Sequence, residues 1–227
     1  MARRRTTARD ERRRTLQQNF LVDRDLVRRL AATIDPDDLV VDLGAGKGVL
    51  TLAAARAGAR VIAVELDPVW AQRLSDRVRS AGVADRVRIV RGDLRHVPLP
   101  GPGRSQGGSG PPLRSGRWRV LACPPYQHTT ALLRRLLDDP ERGPVRADLV
   151  LQLEAARKHA ASPPRTLLAS TWAPWWELEV VERIPRSAFR PVPRVDSAWL
   201  RIRRREPPVL RPDLADAWER FLRAAWR

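Results

Sequence analysis

The sequence predicts an α/β fold: a mostly parallel, seven-stranded sheet with helices on both faces. Three observations predict it. Strand and helix patterns alternate from Leu39 onward. A glycine-rich segment, Asp42-Leu43-Gly44-Ala45-Gly46-Lys47-Gly48, joins the first of these strands to the first helix. The second strand ends on an acidic residue, Glu65. Alternation of this kind builds a parallel sheet, and a glycine-rich strand-to-helix junction is where such sheets bind ligands.

The elements follow in order. Leu39–Leu43 reads as a buried strand, Val49–Arg56 as a helix stopped at Gly58, and Arg60–Glu65 as the second strand. Asp67 followed by Pro68 is an N-cap with proline at the first helical position, opening a helix to about Ser80. A third strand is expected at 86–90, a fourth at 118–122, a helix at Thr129–Leu137 and a fifth strand at 148–153. Segments 176–182 and 195–203 read as an antiparallel edge pair, and 213–226 as a terminal amphipathic helix. The stretch 98–116, rich in Gly, Pro and Ser, reads as a flexible surface loop. Three parts result: a basic N-terminal arm at 1–14, an α/β domain at 15–205 and a C-terminal segment with the terminal helix at 206–227.

Composition narrows the function. The 227 residues carry 43 Lys and Arg against 26 Asp and Glu, a net charge of +17. Lys47 and Lys158 are the only lysines, so 41 of these cations are arginine. An arginine-biased genome explains the choice of Arg over Lys but not the excess of positive charge. That excess points to a polyanionic partner, and the seven arginines within 1–14 suggest an arm that touches nucleic acid. Cys123 is the only cysteine, which excludes a disulfide framework and a thiolate zinc site. His96, His128 and His159 lie far apart, so no metal site is expected. No apolar run is long enough to span a membrane, and no apolar core follows the N-terminal arginines. The expectation is a soluble, cytoplasmic, monomeric protein.

The motifs carry the chemistry. Gly44 and Gly46 let the backbone turn sharply and approach a ligand, and Glu65 can hold both hydroxyls of a ribose. These features fit two cofactors. A dinucleotide site wants G-x-G-x-x-G, whereas this spacing is G-x-G-x-G and suits S-adenosylmethionine (SAM) better. Asp93, in Gly92-Asp93-Leu94 after the third strand, can accept a hydrogen bond from an adenine amino group; the competing reading is a helix N-cap. Cys123-Pro124-Pro125-Tyr126 ends the fourth strand. Enzymes that methylate an exocyclic amine carry [Asn/Asp]-Pro-Pro-[Tyr/Phe] there. The adenine N6 lone pair is delocalised into the ring, so two acceptors must hold the amino hydrogens and align it, while the aromatic stacks on the extruded base. The acceptors would be the residue at position 123 and the Pro124 carbonyl, and the aromatic Tyr126, the chain's only tyrosine. The competing reading of Tyr126 is a core aromatic after a Pro-Pro turn. Cys123 is a weak acceptor, and its place before the proline does not match the Pro-Cys order of nucleophilic cytosine methylation.

Taken together, the motifs resemble those of the Erm family of 23S rRNA adenine-N6 methyltransferases, close kin of the KsgA 16S dimethyltransferases. Gln18-Asn19-Phe20-Leu21 resembles the family's N-terminal motif, and Gly44, Gly46, Glu65 and Asp93 match its cofactor motifs. Gln152-Leu153-Glu154-Ala155-Ala156-Arg157-Lys158-His159 and Phe189-Arg190-Pro191-Val192-Pro193-Arg194-Val195-Asp196-Ser197 match two further signatures. The resemblance implies a class I SAM-dependent methyltransferase core, Rossmann-like, with a small C-terminal helical lobe. It implies methyl transfer from SAM to N6 of one adenine in the peptidyl-transferase loop of 23S rRNA, a mark that blocks macrolide, lincosamide and streptogramin B binding. It implies cofactor contacts at Gln18, Asn19, Leu21, Gly44, Gly46, Glu65, Leu66, Asp93, Leu94 and Cys123, and catalytic roles for Cys123, Pro124 and Tyr126. Arg134, Arg135, Arg157 and the arginines of 201–205 are candidates to track RNA phosphates. There are two departures: Cys123 stands where the family carries Asn, and the 98–116 loop is longer than usual.

Overall fold

Inside the sheet, third from one edge, lies β2 (Leu39–Leu43), buried along its whole length. A strand this apolar is covered by helices on both sides. The structure, a computed structural model, describes residues 19–101 and 117–226. The basic arm at 1–14, Gln18 and residues 102–116 of the long loop lie outside the described residues.

β2 pairs in parallel with β3 (Arg60–Glu65) on one side and β5 (Arg119–Ala122) on the other. β4 (Val87–Arg91) extends the sheet beyond β3, and β6 (Arg146–Gln152) extends it beyond β5, both in parallel. β9 (Ser197–Arg204) then runs antiparallel to β6, and β7 (Trp176–Ile184) closes that edge antiparallel to β9. The order is β4-β3-β2-β5-β6-β9-β7, seven strands with β9 reversed. The expected edge pair is present. Its first strand runs two residues further than expected, with a bulge between Val180 and Glu182. The fifth strand spans Arg146–Gln152 rather than 148–153, because Leu153 already begins a helix.

The helices follow their local chemistry. α1 (Arg24–Ala31) is capped by Asp23, whose carboxylate accepts from the Asp25 and Leu26 amides at 3.0 Å, and it buries Leu26 and Leu30. α2 (Val49–Arg56) turns Leu50, Leu52, Ala54 and Ala55 into the core. α3 (Pro68–Ser80) starts at the expected Asp67 cap, which accepts from the Val69 amide at 2.8 Å. α4 (Thr129–Leu137) buries Leu132, Leu133, Leu136 and Leu137. α5 (Leu153–His159) and α6 (Leu167–Trp172) follow. The terminal helix, α7 (Ala215–Ala225), starts later than expected because Pro212–Leu214 forms a 3-10 turn. It seats on α6 through Trp218, whose indole donates to the Ser170 carbonyl at 3.1 Å.

Asp148 on β6 organises the reversed edge. Buried, it accepts from Trp199 Nε1 at 2.7 Å and pairs with Arg146 at 2.6 Å and Arg201 at 3.3 Å. A buried carboxylate is tolerated only with such partners. Among the described residues, no helix is long and apolar enough to cross a membrane.

Candidate active site

Parallel strands end at one edge of the sheet, and that edge is where the motif residues meet. Asp42 is the penultimate residue of β2 and the glycine loop follows that strand, Glu65 ends β3, Asp93 follows β4 and Cys123 follows β5. They surround one cleft of about 960 Å³, open solvent included, whose lining also holds Asn19, Leu21, Leu66, Leu94, Pro124 and Tyr126. Every predicted site residue within the described chain lines it. A cleft of this size suits a nucleoside-sized ligand.

The glycine loop shapes its floor. Gly44 has φ +86°, and a Cβ there would lie 3.2 Å from Pro125 Cδ; Gly46 has φ +53°, and its Cβ would meet the Phe20 ring at 3.0 Å. Glycine is therefore required twice: for left-handed backbone, and for the close approach of this loop to Pro124-Pro125 and to Phe20. Phe20 itself packs on Trp70 at 4.8 Å between ring centres, with the Lys47 ammonium 4.5 Å over its ring.

Glu65 is 4 % exposed. One carboxylate oxygen accepts from the Gly46 amide at 2.7 Å and the other from the Asp67 amide at 2.9 Å. The bonds fix the carboxylate's orientation and leave each oxygen a second lone pair. Burial raises its pKa against the pull of these two amides. Asp42 is the acid that sequence reasoning passed over, although it opens the quoted glycine motif. It is 2 % exposed, accepts from Thr51 Oγ1 at 2.6 Å, and is pushed up to about 7 by burial and by nearby Glu65.

Asp93 is held differently. Arg95 binds both its carboxylate oxygens, with Nε at 3.0 Å from each, and the Arg95 amide adds a bond at 2.8 Å. The guanidinium holds the Asp93 carboxyl well below the usual carboxylate range. Asp93 thus caps a turn and lines the cleft at once, so both sequence readings describe part of what it does. Beyond it, His128 and Gln127 form a polar lip, their side-chain nitrogens 3.1 Å apart.

After β5, Tyr126 is partly buried, with its hydroxyl 2.5 Å from Ser197 Oγ. Burial pushes its phenol up to about 12. Cys123 is also pushed up to about 12, by burial first and by the Asp42 charge second. A thiol in that state is not a nucleophile near neutrality. Two sequence signatures meet beside the cleft: Phe20 and Leu21 form β1 (Phe20–Leu21), which pairs antiparallel with β8 (Phe189–Arg190).

Several candidate RNA-tracking arginines are already engaged by partners within the chain. Arg135 donates to the Leu94 and Val97 carbonyls, Arg201 pairs with Asp148, and Arg205 pairs with Glu177 at 2.8 Å.

The model of the ribosomal RNA adenine dimethylase family matches residues 9–226 of this chain. The chain belongs to that family. It is 38 % identical over 201 residues to the mycinamicin-resistance protein MyrB of Micromonospora griseorubida, covering 87 % of this chain and 58 % of MyrB. It is 35 % identical over 223 residues to a ribosomal RNA small subunit methyltransferase A of Pelotomaculum thermopropionicum, covering 94 % of this chain and 73 % of that protein. The chain spans about half the length of several curated relatives, 52 % of one rRNA adenine N-6-methyltransferase from Saccharopolyspora erythraea. Its fold is similar to the crystal structure of the 23S rRNA methyltransferase ErmE, with TM-score 0.74 and 31 % identity over 90 % of this chain and 78 % of that one. This member of the dimethylase family therefore has the class I methyltransferase fold, and the motif-bearing cleft lies at the edge where such α/β sheets bind ligands.

Proposed function

We propose that the chain methylates N6 of one adenine in the peptidyl-transferase loop of 23S rRNA, with SAM as methyl donor, and so confers macrolide, lincosamide and streptogramin B resistance. It would act as a cytoplasmic monomer. The observation that carries the reading is one cleft lined by the glycine loop, Glu65, Asp93 and Tyr126 together. The cleft fits the cofactor: Gly44 and Gly46 line it with bare backbone, and Glu65 presents oriented oxygens suited to two hydroxyls.

When bound, SAM supplies an electrophilic methyl group. Glu65 would hold the ribose hydroxyls, and Asp93, now bound by Arg95, would accept from the cofactor's adenine amine. Asn19, Leu21, Leu66, Leu94 and Gln18 complete the cofactor contacts, Gln18 on the resemblance alone. Tyr126 stacks on the extruded base. The Pro124 carbonyl accepts one amino hydrogen, and Cys123, a protonated thiol, offers only a weak second acceptor. The proton leaving N6 passes to solvent, and no covalent enzyme intermediate forms.

Incubation with SAM and unmodified 23S rRNA, followed by mass-spectrometric mapping, tests the reading. A single modified adenine in the peptidyl-transferase loop is expected. A second reading, dimethylation of small-subunit rRNA, is favoured by the likeness to the Pelotomaculum protein, and modified 16S rRNA would replace the first with it. A third, a catalytically weakened RNA-binding relative, is motivated by Cys123. Cys123→Asn restores a full acceptor and is expected to raise the single-turnover rate about tenfold, the worth of one hydrogen bond. An unchanged rate would mean that the Pro124 carbonyl and Tyr126 suffice.

Asp42 gives the cofactor affinity a pH dependence. Its pKa is about 7 in the free protein, so it is largely protonated at pH 6 and ionised at pH 8. A cationic sulfonium favours the ionised form, so SAM affinity rises with pH through 7, by up to about tenfold per unit on the acid side. S-adenosylhomocysteine, with an uncharged sulfur, shows a shallower slope in the same titration calorimetry. Asp42→Asn removes the difference between the two ligands; if it persists, it originates at another titrating group of the same cleft, Glu65 or His128.

A further inference from the structure

We propose that Ser197 is a positioning residue for the target base, acting through Tyr126: its buried hydroxyl sets the direction of the tyrosine ring that faces the base. The inference rests on the reading of Tyr126 as the stacking wall. Ser197 does not line the cleft. It opens β9, is fully buried, and sits between Gln152 of β6 and Ile184 of β7. Its hydroxyl lies 2.5 Å from the Tyr126 hydroxyl across 71 residues of sequence. The other end of the tyrosine is held too, because its carbonyl accepts from Thr129 Oγ1 at 2.8 Å, where α4 begins. The ring axis is therefore fixed at both ends. Since a phenol oxygen gives or receives a hydrogen bond near the ring plane, the bond also biases the plane that meets the base, whichever hydroxyl donates.

The anchor is itself immobilised. The neighbouring Asp196 accepts from Arg183 Nε and the Arg186 amide, each at 2.9 Å, and its carbonyl accepts from the Leu153 amide at 3.0 Å. A tyrosine bound to a freely moving loop would gain little from such a bond; here the partner is strand backbone clamped from two sides. The motif at this position admits Tyr or Phe in principle. In this chain Phe would leave the Ser197 hydroxyl buried without its Tyr126 partner, which is unfavourable. The phenol oxygen therefore has a task here that stacking alone does not require.

Tyr126 is the only tyrosine, so 3-fluorotyrosine labels it alone. In S197A the single fluorine resonance is expected to shift and broaden, with SAM affinity unchanged. In methylation of a 23S rRNA fragment, S197A is expected to lower kcat about tenfold with little change in KM for RNA. Y126F breaks the same bond from the cleft side and loses a similar factor, so the pair remains testable even where S197A lowers the yield of folded protein. The double variant S197A/Y126F is no slower than Y126F alone. An unchanged fluorine resonance in S197A, or losses that multiply in the double variant, overturns the proposal. A wild-type chain that methylates no rRNA defeats the function reading, while the fluorine comparison still decides whether Ser197 orients Tyr126.

Discussion

Tyr126→Ala leaves SAM bound within about twofold of the wild-type affinity and lowers methyl transfer about a hundredfold. The two effects separate because Tyr126 follows β5, whereas Glu65 ends β3 and is held by the Gly46 and Asp67 amides, so the truncation removes none of the bonds that orient Glu65. A base taken out of its stack loses stacking on its neighbours, and the aromatic face replaces it. Such a contact is worth about 1–3 kcal/mol. Misplacement of the N6 lone pair adds to that, because displacement needs the nitrogen in line with the methyl group. Truncation also leaves Ser197 unpaired in the core, so a modest fall in melting temperature is expected. Calorimetry with SAM and single-turnover methylation of an rRNA fragment make the comparison. Loss of SAM binding would instead make Tyr126 a structural support of the cleft.

The parts of the fold that sequence reading reached are those with periodicity or caps. β2 and β3 are five- and six-residue strands set by runs of apolar residues, and α3 is set by Asp67 and Pro68. What escaped is either too short for a period or depends on distant chain. β1 and β8 have two residues each, and only their mutual pairing makes them strands. α1 was legible in principle, since Asp23 is a capping residue and Leu26 and Leu30 share a face one turn apart. The site shows the same division. Glu65 and the glycines announce themselves by residue type at a strand end. Ser197 closes a family signature, but that gives it no role, and it meets Tyr126 only because β9 reverses and enters the sheet beside β6. Charge counting had the coarsest outcome. It identified an excess of arginine but could not separate guanidiniums spent on internal carbonyls, such as Arg135 on Leu94 and Val97, from those left to face solvent.

Glu65→Ala is expected to weaken SAM binding about a hundredfold, because two charge-assisted bonds to ribose hydroxyls disappear together. The folded state suffers less. The Gly46 and Asp67 amides lose their acceptor, at about 1–3 kcal/mol, but the cost of holding a buried carboxylate, visible in its raised pKa, is relieved as well. The informative variant is Glu65→Gln, which keeps the shape. Each carboxylate oxygen receives a backbone N–H, one from Gly46 and one from Asp67. A glutamine amide can accept only one of these; its NH2 then points at the other donor. Glutamine therefore rescues neither the local backbone nor the ribose contact, and its SAM affinity is expected to fall close to that of alanine. Calorimetric titration of both variants, with melting curves to confirm folding, makes the check. Wild-type affinity in the glutamine variant would mean that the ribose binds elsewhere in the cleft and that Glu65 serves only to tie β3 to the glycine loop.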